Sequence, residues 1–169
     1  MPEYIFDTTV LSNLAVVGRL ELLEKRYRQV ALTTVEVSDE LRRGLQAGYE
    51  YLENVLRQIQ SINPDGWLRI VTPESAAEHQ LRGEFDLLLD PGEASCLALA
   101  ISRGLILVTD DLAARQLAQE RNVLLTGTVG ILLALVRDGL LSLAEANEIL
   151  ALMIERRYRS PVDRLDELV

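Results

Sequence analysis

Short, continuous apolar runs alternate along this chain with longer stretches in which apolar residues recur every three or four positions. That is the pattern of buried strands separated by amphipathic helices. Tyr4-Ile5-Phe6, Gln29 to Leu32, Leu68 to Val71, Leu105 to Val108 and Val123 to Leu125 read as strands. Leu105-Ile106-Leu107-Val108 is the clearest, unbroken and apolar as parallel strands covered on both faces are. Helical spacing predicts helices over Val10 to Val17, Leu20 to Tyr27, from Thr33-Thr34 through Leu41, Tyr51 to Ile59, Pro73-Glu74 to Phe85, Glu93 to Arg103, Leu112 to Arg121, from Gly127-Thr128-Val129-Gly130 to Arg137, and 143 to 157. Local chemistry marks the joints: Asp7-Thr8-Thr9 can cap the first helix, Ser142-Leu143-Ala144-Glu145 fits a capping box, and Gly104 closes a helix. Asn63-Pro64-Asp65-Gly66 and Leu89-Asp90-Pro91-Gly92 are turns. Strands alternating with helices give the α/β class: one domain over 1–157, with helices on both faces of a central, mainly parallel sheet, and a C-terminal tail over 158–169.

Four acidic positions, Asp7, Glu40, Glu93 and the Asp110-Asp111 pair, stand where an apolar segment meets a helical one. Asp7 and Asp110 directly follow strands, and a parallel sheet gathers such strand ends along one edge. Glu93 opens a helix on which Cys96 and Leu97 share its face, and Glu40 precedes Leu41 on a helix that must dock on the sheet. Carboxylates gathered at one edge repel unless neutralised, and hard cations with oxygen ligands do that. Mg²⁺ or Mn²⁺ held by several carboxylates activates a water and stabilises the leaving oxygen of a phosphodiester. Each acid alone also has a local use. Asp7 and Asp111 suit helix N-caps, Glu93 suits a helix dipole, and Glu40 suits a solvated helix face. Arg115, four residues after Asp111, reads as a helix-surface ion pair rather than a phosphate clamp.

The bulk numbers narrow the classes. At 169 residues the chain buries a proper core in one domain, and 49% hydrophobic with 25% charged residues excludes a disordered chain. A net charge of −9 argues against nucleic-acid binding by bulk electrostatics, while leaving room for an enzyme that meets phosphates through metals and a few arginines. Sixteen of the basic residues are Arg and one, Lys25, is Lys, and Arg pairs in bidentate fashion with carboxylate or phosphate. The single cysteine, Cys96, rules out an internal disulfide and fits a reducing compartment. With no basic-then-apolar leader and no apolar run approaching 18 residues, a cytoplasmic protein without a membrane span is expected.

The ordered motifs resemble those of PIN-domain nucleases. Ile5-Phe6-Asp7-Thr8-Thr9-Val10-Leu11 is similar to their opening Asp-Thr-Ser/Thr signature, and Val37-Ser38-Asp39-Glu40-Leu41 to a second motif that supplies a Glu from a helix. Gly92-Glu93-Ala94 resembles the third, and Val108-Thr109-Asp110-Asp111 the fourth. Gly127-Thr128-Val129-Gly130-Ile131-Leu132 resembles a segment common in the VapC-like toxins of that superfamily. The resemblance implies a PIN-like α/β/α sandwich and a Mg²⁺- or Mn²⁺-dependent endoribonuclease, with Asp7, Glu40, Glu93 and Asp110 holding the metal. It implies that Thr9 and Thr109 orient Asp7 and the water network, with Asp111 in support. The doublet leaves open which acid faces the metal, and Asp110, at the strand end, is the first choice. The resemblance further implies a toxin role, an antitoxin protein that blocks the site, and a homodimer.

Other features carry less. His79 reads as a surface residue, Cys96 as a small core residue, and Trp67 as packing rather than base stacking. The glycines at 127 and 130 lack the Lys of a phosphate loop. Arg156, Arg157 and Arg159 form the only basic cluster, suited to RNA, to an acidic antitoxin segment or to a solvated helix end. A phosphoacceptor signalling domain needs a Lys after a late strand, and none is present. A catalytically silent interaction module of the same fold and a metal-dependent DNA nuclease remain as rival readings, since residues that meet phosphate do not separate RNA from DNA.

Overall fold

The computed structural model describes residues 1–169. Five short parallel strands form its central sheet: β1 (Tyr4–Phe6), β2 (Ala31–Thr33), β3 (Arg69–Ile70), β4 (Ile106–Val108) and β5 (Leu125–Thr126). They run in the order β3-β2-β1-β4-β5. The sheet is therefore wholly parallel. The chain builds outward from β1 to β3, then crosses to the other side of β1 to lay down β4. That reversal opens a crevice at the carboxyl ends of β1 and β4, where sheets of this kind hold their sites.

Nine α-helices flank the sheet in an α/β/α sandwich: α1 (Thr8–Val16), α2 (Glu21–Tyr27), α3 (Val35–Gln46), α4 (Leu52–Leu56), α5 (Ala76–Asp86), α6 (Pro91–Arg103), α7 (Leu112–Glu120), α8 (Thr128–Arg137) and α9 (Leu143–Glu155). The centre of the core is aromatic: Phe6 on β1 meets Tyr27 and Trp67 edge-on, and Tyr4 meets Tyr27 in the same way. Trp67 and Cys96 are buried, and His79 is exposed. No helix is long and apolar enough to cross a membrane.

Several boundaries differ from the sequence expectation, each for a local reason. Thr33 belongs to β2, its hydroxyl donating to the Phe6 carbonyl at 2.8 Å, and Thr34 rather than Thr33 caps α3. Helix α5 starts at Ala76 because Ser75 Oγ accepts the Glu78 N–H at 3.1 Å. Helix α6 begins earlier than expected: Pro91 takes its first turn, where a missing N–H costs nothing, so Glu93 sits at the third position. The last strand is delayed to Leu125 because Asn122, in the left-handed region, closes α7 with the Val123 N–H on the Ala118 carbonyl. The C-terminal segment is tied to α9 at Leu165 and Asp166. The buried Asn147 side chain accepts from the Leu165 N–H and donates to Asp166, each at 2.8 Å, and Leu165 is buried in the core.

Candidate active site

The crevice at the ends of β1 and β4 is lined by acids, and each is placed by its own element. Asp7 follows β1 and caps α1, its Oδ1 accepting the Thr9 N–H at 2.9 Å and the Thr9 hydroxyl at 2.7 Å. Its other oxygen accepts the hydroxyl of Thr109, at the end of β4. Two threonines, one in the first turn of α1 and one just past β4, thus fix one buried carboxylate. Burial raises the Asp7 carboxyl to about 7, against the lowering effect of these hydrogen bonds, and the charge of Asp110 pushes in the same direction as burial.

Glu40, one turn into α3, is a bridge rather than a solvated residue. Its carboxylate accepts the Thr8 hydroxyl at 2.6 Å and the Gly92 N–H at 2.8 Å, tying the start of α1 to the start of α6. The approach needs glycine: a Cβ at position 92 would stand 2.6 Å from Glu40 Oε2. One residue on, Glu93 folds back so that Oε2 accepts the Asp90 N–H at 3.2 Å, a helix-start use of one oxygen. Burial raises Glu93 to about 7, with the charge of Asp111 next in weight and that of Asp7 also contributing.

The Asp110-Asp111 doublet divides into two environments. Asp110 accepts from Asn13 Nδ2 at 3.0 Å, from the Thr128 N–H at 2.8 Å, from the Thr128 hydroxyl, and from the Tyr158 hydroxyl at 3.5 Å. A carboxylate has about four lone-pair positions, so these donors engage all of them. Here too a glycine is required, since a Cβ at 127 would lie 2.5 Å from Asp110 Oδ1. Asp111 caps α7 through Oδ2, which accepts the Ala114 N–H at 2.8 Å, and its Oδ1 has no protein donor. Arg115 does not pair with Asp111 as expected. It donates instead to the Thr109 carbonyl at 2.8 Å, which leaves the doublet without a cationic partner.

The structure thus brings Asp7, Glu40, Glu93, Asp110 and Asp111 to one edge, although no three acidic, histidine or cysteine side chains are grouped closely enough to ligate a single ion. None of the five carboxylates forms an ion pair with an Arg or Lys. The donor set is all oxygen, from carboxylates that repel one another with no protein cation between them. That chemistry fits a hard divalent ion such as Mg²⁺ or Mn²⁺ and not a soft metal.

The family model DUF3368, described as a PIN domain, matches residues 3–169. The chain belongs to the PIN-domain family. This PIN domain also shares its fold with a crystal structure, that of PAE2754 from Pyrobaculum aerophilum. The match has a TM-score of 0.54 and 20% identity, covering 80% of this chain and 98% of that one. No curated protein matches the sequence significantly. PIN domains are generally nucleases that use divalent metals, and this chain has the corresponding nuclease fold and an oxygen-lined acidic edge.

Sequence reading does not find Thr8, Gly92, Asn13, Thr128 or Tyr158, which position the acids here. Of these Thr8, Gly92 and Thr128 stand inside recognisable motifs, though not as residues marked for this role. Asn13 and Tyr158 reach Asp110 from far along the chain, and nothing local marks them.

Proposed function

We propose that this PIN domain is a Mg²⁺- or Mn²⁺-dependent endoribonuclease, with Asp7, Glu93 and Asp111 as the principal acids toward the ion, meeting it partly through its bound waters. What supports this reading is a set of carboxylates that raise one another's proton affinity at a strand-end crevice with no protein counter-charge. Asp7 and Glu93 are both shifted to about 7, and Asp111 is the leading charged neighbour of Glu93. The Asp110-Asp111 choice turns on free acceptor capacity. Asp110 has its lone pairs engaged by Asn13, Thr128 and Tyr158, whereas Asp111 Oδ1 is uncommitted. Asp111 is therefore the better ligand, and Asp110 a positioning residue that pins α8 and the C-terminal segment to the site.

A divalent cation bound here supplies a water of lowered pKa and stabilises charge building on the phosphate oxygens. The remaining work belongs to the protein. Thr9 and Thr109 hold Asp7 in one rotamer, so no reorganisation of that carboxylate is needed on binding. Glu40 fixes the start of α6 against α1, which sets the separation of Glu93 from Asp7. In the net reaction a water oxygen bonds to phosphorus, the bond to the leaving ribose oxygen breaks, and that oxygen takes up a proton.

The toxin assignment is supported by the likeness of residues 127–132 to VapC-like toxins. It carries with it an antitoxin protein that covers the acidic crevice and a homodimer. Growth arrest on expression, relieved by a neighbouring gene product, tests that part separately.

The primary test is cleavage of single-stranded RNA by purified protein with Mn²⁺, with EDTA, and with Asp7→Asn in Mn²⁺. Cleavage that needs both the ion and Asp7 is expected. Intact RNA under every condition, in protein free of any bound inhibitor, would leave a binding module of the same fold, and preferential cleavage of DNA would make it a DNA nuclease.

A further inference from the structure

Six helix ends and turns in this chain place a residue in the left-handed region: Gly18, Gly48, Gly104, Asn122, Gly139 and Arg157. Five use glycine or asparagine, the residues that tolerate it, and one uses arginine. At the end of α9 the Arg157 N–H reaches the Ile154 carbonyl and the Tyr158 N–H reaches the Met153 carbonyl, at 3.0 Å each. This is the same doubly bonded helix stop that Gly18 and Gly139 make at the ends of α1 and α8, where the following N–H groups bond back to Leu14 and Leu135. Glycine would satisfy the turn at position 157 with no steric penalty, so the turn itself does not call for arginine.

The turn delivers the chain to the acidic edge. Arg157, Tyr158 and Arg159 line a cavity of about 590 Å³ whose other walls include Thr9, Asn13 and Asp111. Tyr158 is half-buried with its hydroxyl directed at Asp110, and this contact holds the segment in place. Arg159 also borders an adjoining cavity of about 530 Å³ that Arg115 lines from the other side. Nine of the sixteen arginines pair with carboxylates, yet Arg157 and Arg159 pair with none, although two aspartates line the same cavity. Their guanidinium groups are exposed at the mouth of the crevice with all their donors available.

We infer that Arg157 and Arg159 form the phosphate-binding wall of this crevice, taking backbone phosphates of a single-stranded RNA next to the bond presented to the acids. The inference rests on the nuclease reading above. The cavity joins planar, bidentate cations to an oxygen-donor acidic edge, and a phosphodiester strand engages both, its phosphates meeting arginines on one side and a cation-loaded acidic edge on the other. An acidic protein segment would use the arginines alone. The same wall accounts for how a chain of net charge −9 meets a polyanion: the needed cations are local to the site.

The test separates binding from turnover. Fluorescence anisotropy of a labelled short single-stranded RNA is measured in EDTA across a salt series, on full chains carrying Asp7→Asn, so that neither the ion nor cleavage enters the reading. Onto these are added Arg157→Gly, Arg159→Gln, or Arg137→Ala as a control at the far end of α8. Arg157→Gly keeps the turn and relieves its side chain, so its melting temperature is expected to hold or rise while its Kd for RNA rises roughly tenfold. Arg159→Gln is expected to weaken binding similarly. Each is expected to flatten the slope of log K against log salt by about 0.7, the share of one phosphate contact on a single strand. Arg137→Ala is expected to change neither. Unchanged RNA affinity in both site variants overturns the inference, as does a loss confined to an Asp/Glu-rich peptide probe. Cleavage is scored in parallel in chains with Asp7 intact. Arginine-dependent binding without metal-dependent cleavage removes the nuclease reading and keeps the wall, and cleavage with arginine-independent binding does the reverse.

Discussion

Replacing Asp7 by Asn is expected to stabilise the metal-free protein while abolishing its cleavage of RNA. Asp7 is buried at the end of β1 and its carboxyl is raised from 3.8 to about 7, chiefly by that burial. The unfolded chain releases this proton near pH 4, and the native chain near pH 7. Between those values the native state holds the extra proton, so stability falls as pH rises through the window, is undiminished below it and carries the full penalty above it. A displacement of about 3 pKa units corresponds to ~4 kcal/mol at pH 8. Asn carries no charge and escapes that penalty, but it reverses one hydrogen bond. Its Nδ2 must donate to the Thr109 hydroxyl, which already accepts the Asp111 N–H at 3.1 Å. Allowing for this, a net gain of about 2 kcal/mol is expected at pH 8, or roughly 4–8 °C for a chain of this size.

Urea or thermal unfolding of both chains in EDTA, at pH 4.5 and pH 8, reads the effect directly. The wild type is expected to lose stability relative to the variant between the two values. Adding Mn²⁺ at pH 8 is expected to raise the melting temperature of the wild type and not of the variant, because an ion that binds only the native state stabilises it. An Asn variant less stable than wild type at pH 8, with the same pH slope, would mean that Asp7 serves the fold as a cap and is not a strained ligand.

The two members of the doublet should separate by their effects. Asp111→Asn retains a good capping side chain and is expected to lose at least a hundredfold in kcat with little change in melting temperature. Asp110→Asn, which disturbs donors from Asn13 and Thr128, is expected to cost about 1–2 kcal/mol in urea unfolding. Gly127→Ala would set a Cβ 2.5 Å from Asp110 Oδ1 and 2.8 Å from Arg115 Nη1, and a loss of about 1–3 kcal/mol together with impaired cleavage is expected. Away from the site, Glu78 is held down to about 2, first by the Arg103 hydrogen bond and then by the Glu74 N–H. Stability from this pair is present above the ordinary Glu value and is lost as pH falls toward 2. Arg103→Ala is expected to cost about 2 kcal/mol at neutral pH, below the full cost for a buried pair because Arg103 is partly exposed, and to remove that acid slope.

What the sequence discloses of this site follows from distance along the chain. Asp7 and Asp110 are legible because an acid directly after an apolar run lands on the strand-end edge whatever the helices do. The parallel α/β class is legible for the same reason, since period and run length are local. The exact joints are not: Pro91, Ser75 and Asn122 each move an element end by a few residues through a cap or a left-handed turn. Least legible are the contacts that make each carboxylate different. Glu40 taken alone suits a solvated helix face, and its place among the site acids comes from the joint pattern; the donor from Gly92, 52 residues later, is disclosed by neither. Asp110 is picked out by its place at the strand end, and nothing near it in sequence discloses the donors from Asn13 and Thr128.

The site therefore has two kinds of acid, and the division explains the arrangement around them. Asp110 and Glu40 have both oxygens engaged by protein donors, so they act as struts, joining α1 to α3 and α6 on one side and α8 to β4 on the other. Glu93 and Asp111 each keep an oxygen with no protein donor, while Asp7, held on both oxygens by Thr9 and Thr109, is raised with Glu93 to about 7 by burial and neighbouring carboxylates. A rigid frame of satisfied carboxylates is what allows unsatisfied ones to be held close without the edge relaxing apart. If the struts and the strained acids exchanged roles, nothing would fix the distance over which the strained acids repel. The same logic extends to the cations. Arg103, Arg82 and Arg26 are neutralised by Glu78, Glu36 and Asp138 and serve packing, whereas Arg157 and Arg159 are left unpaired beside the one edge where a polyanion can use them.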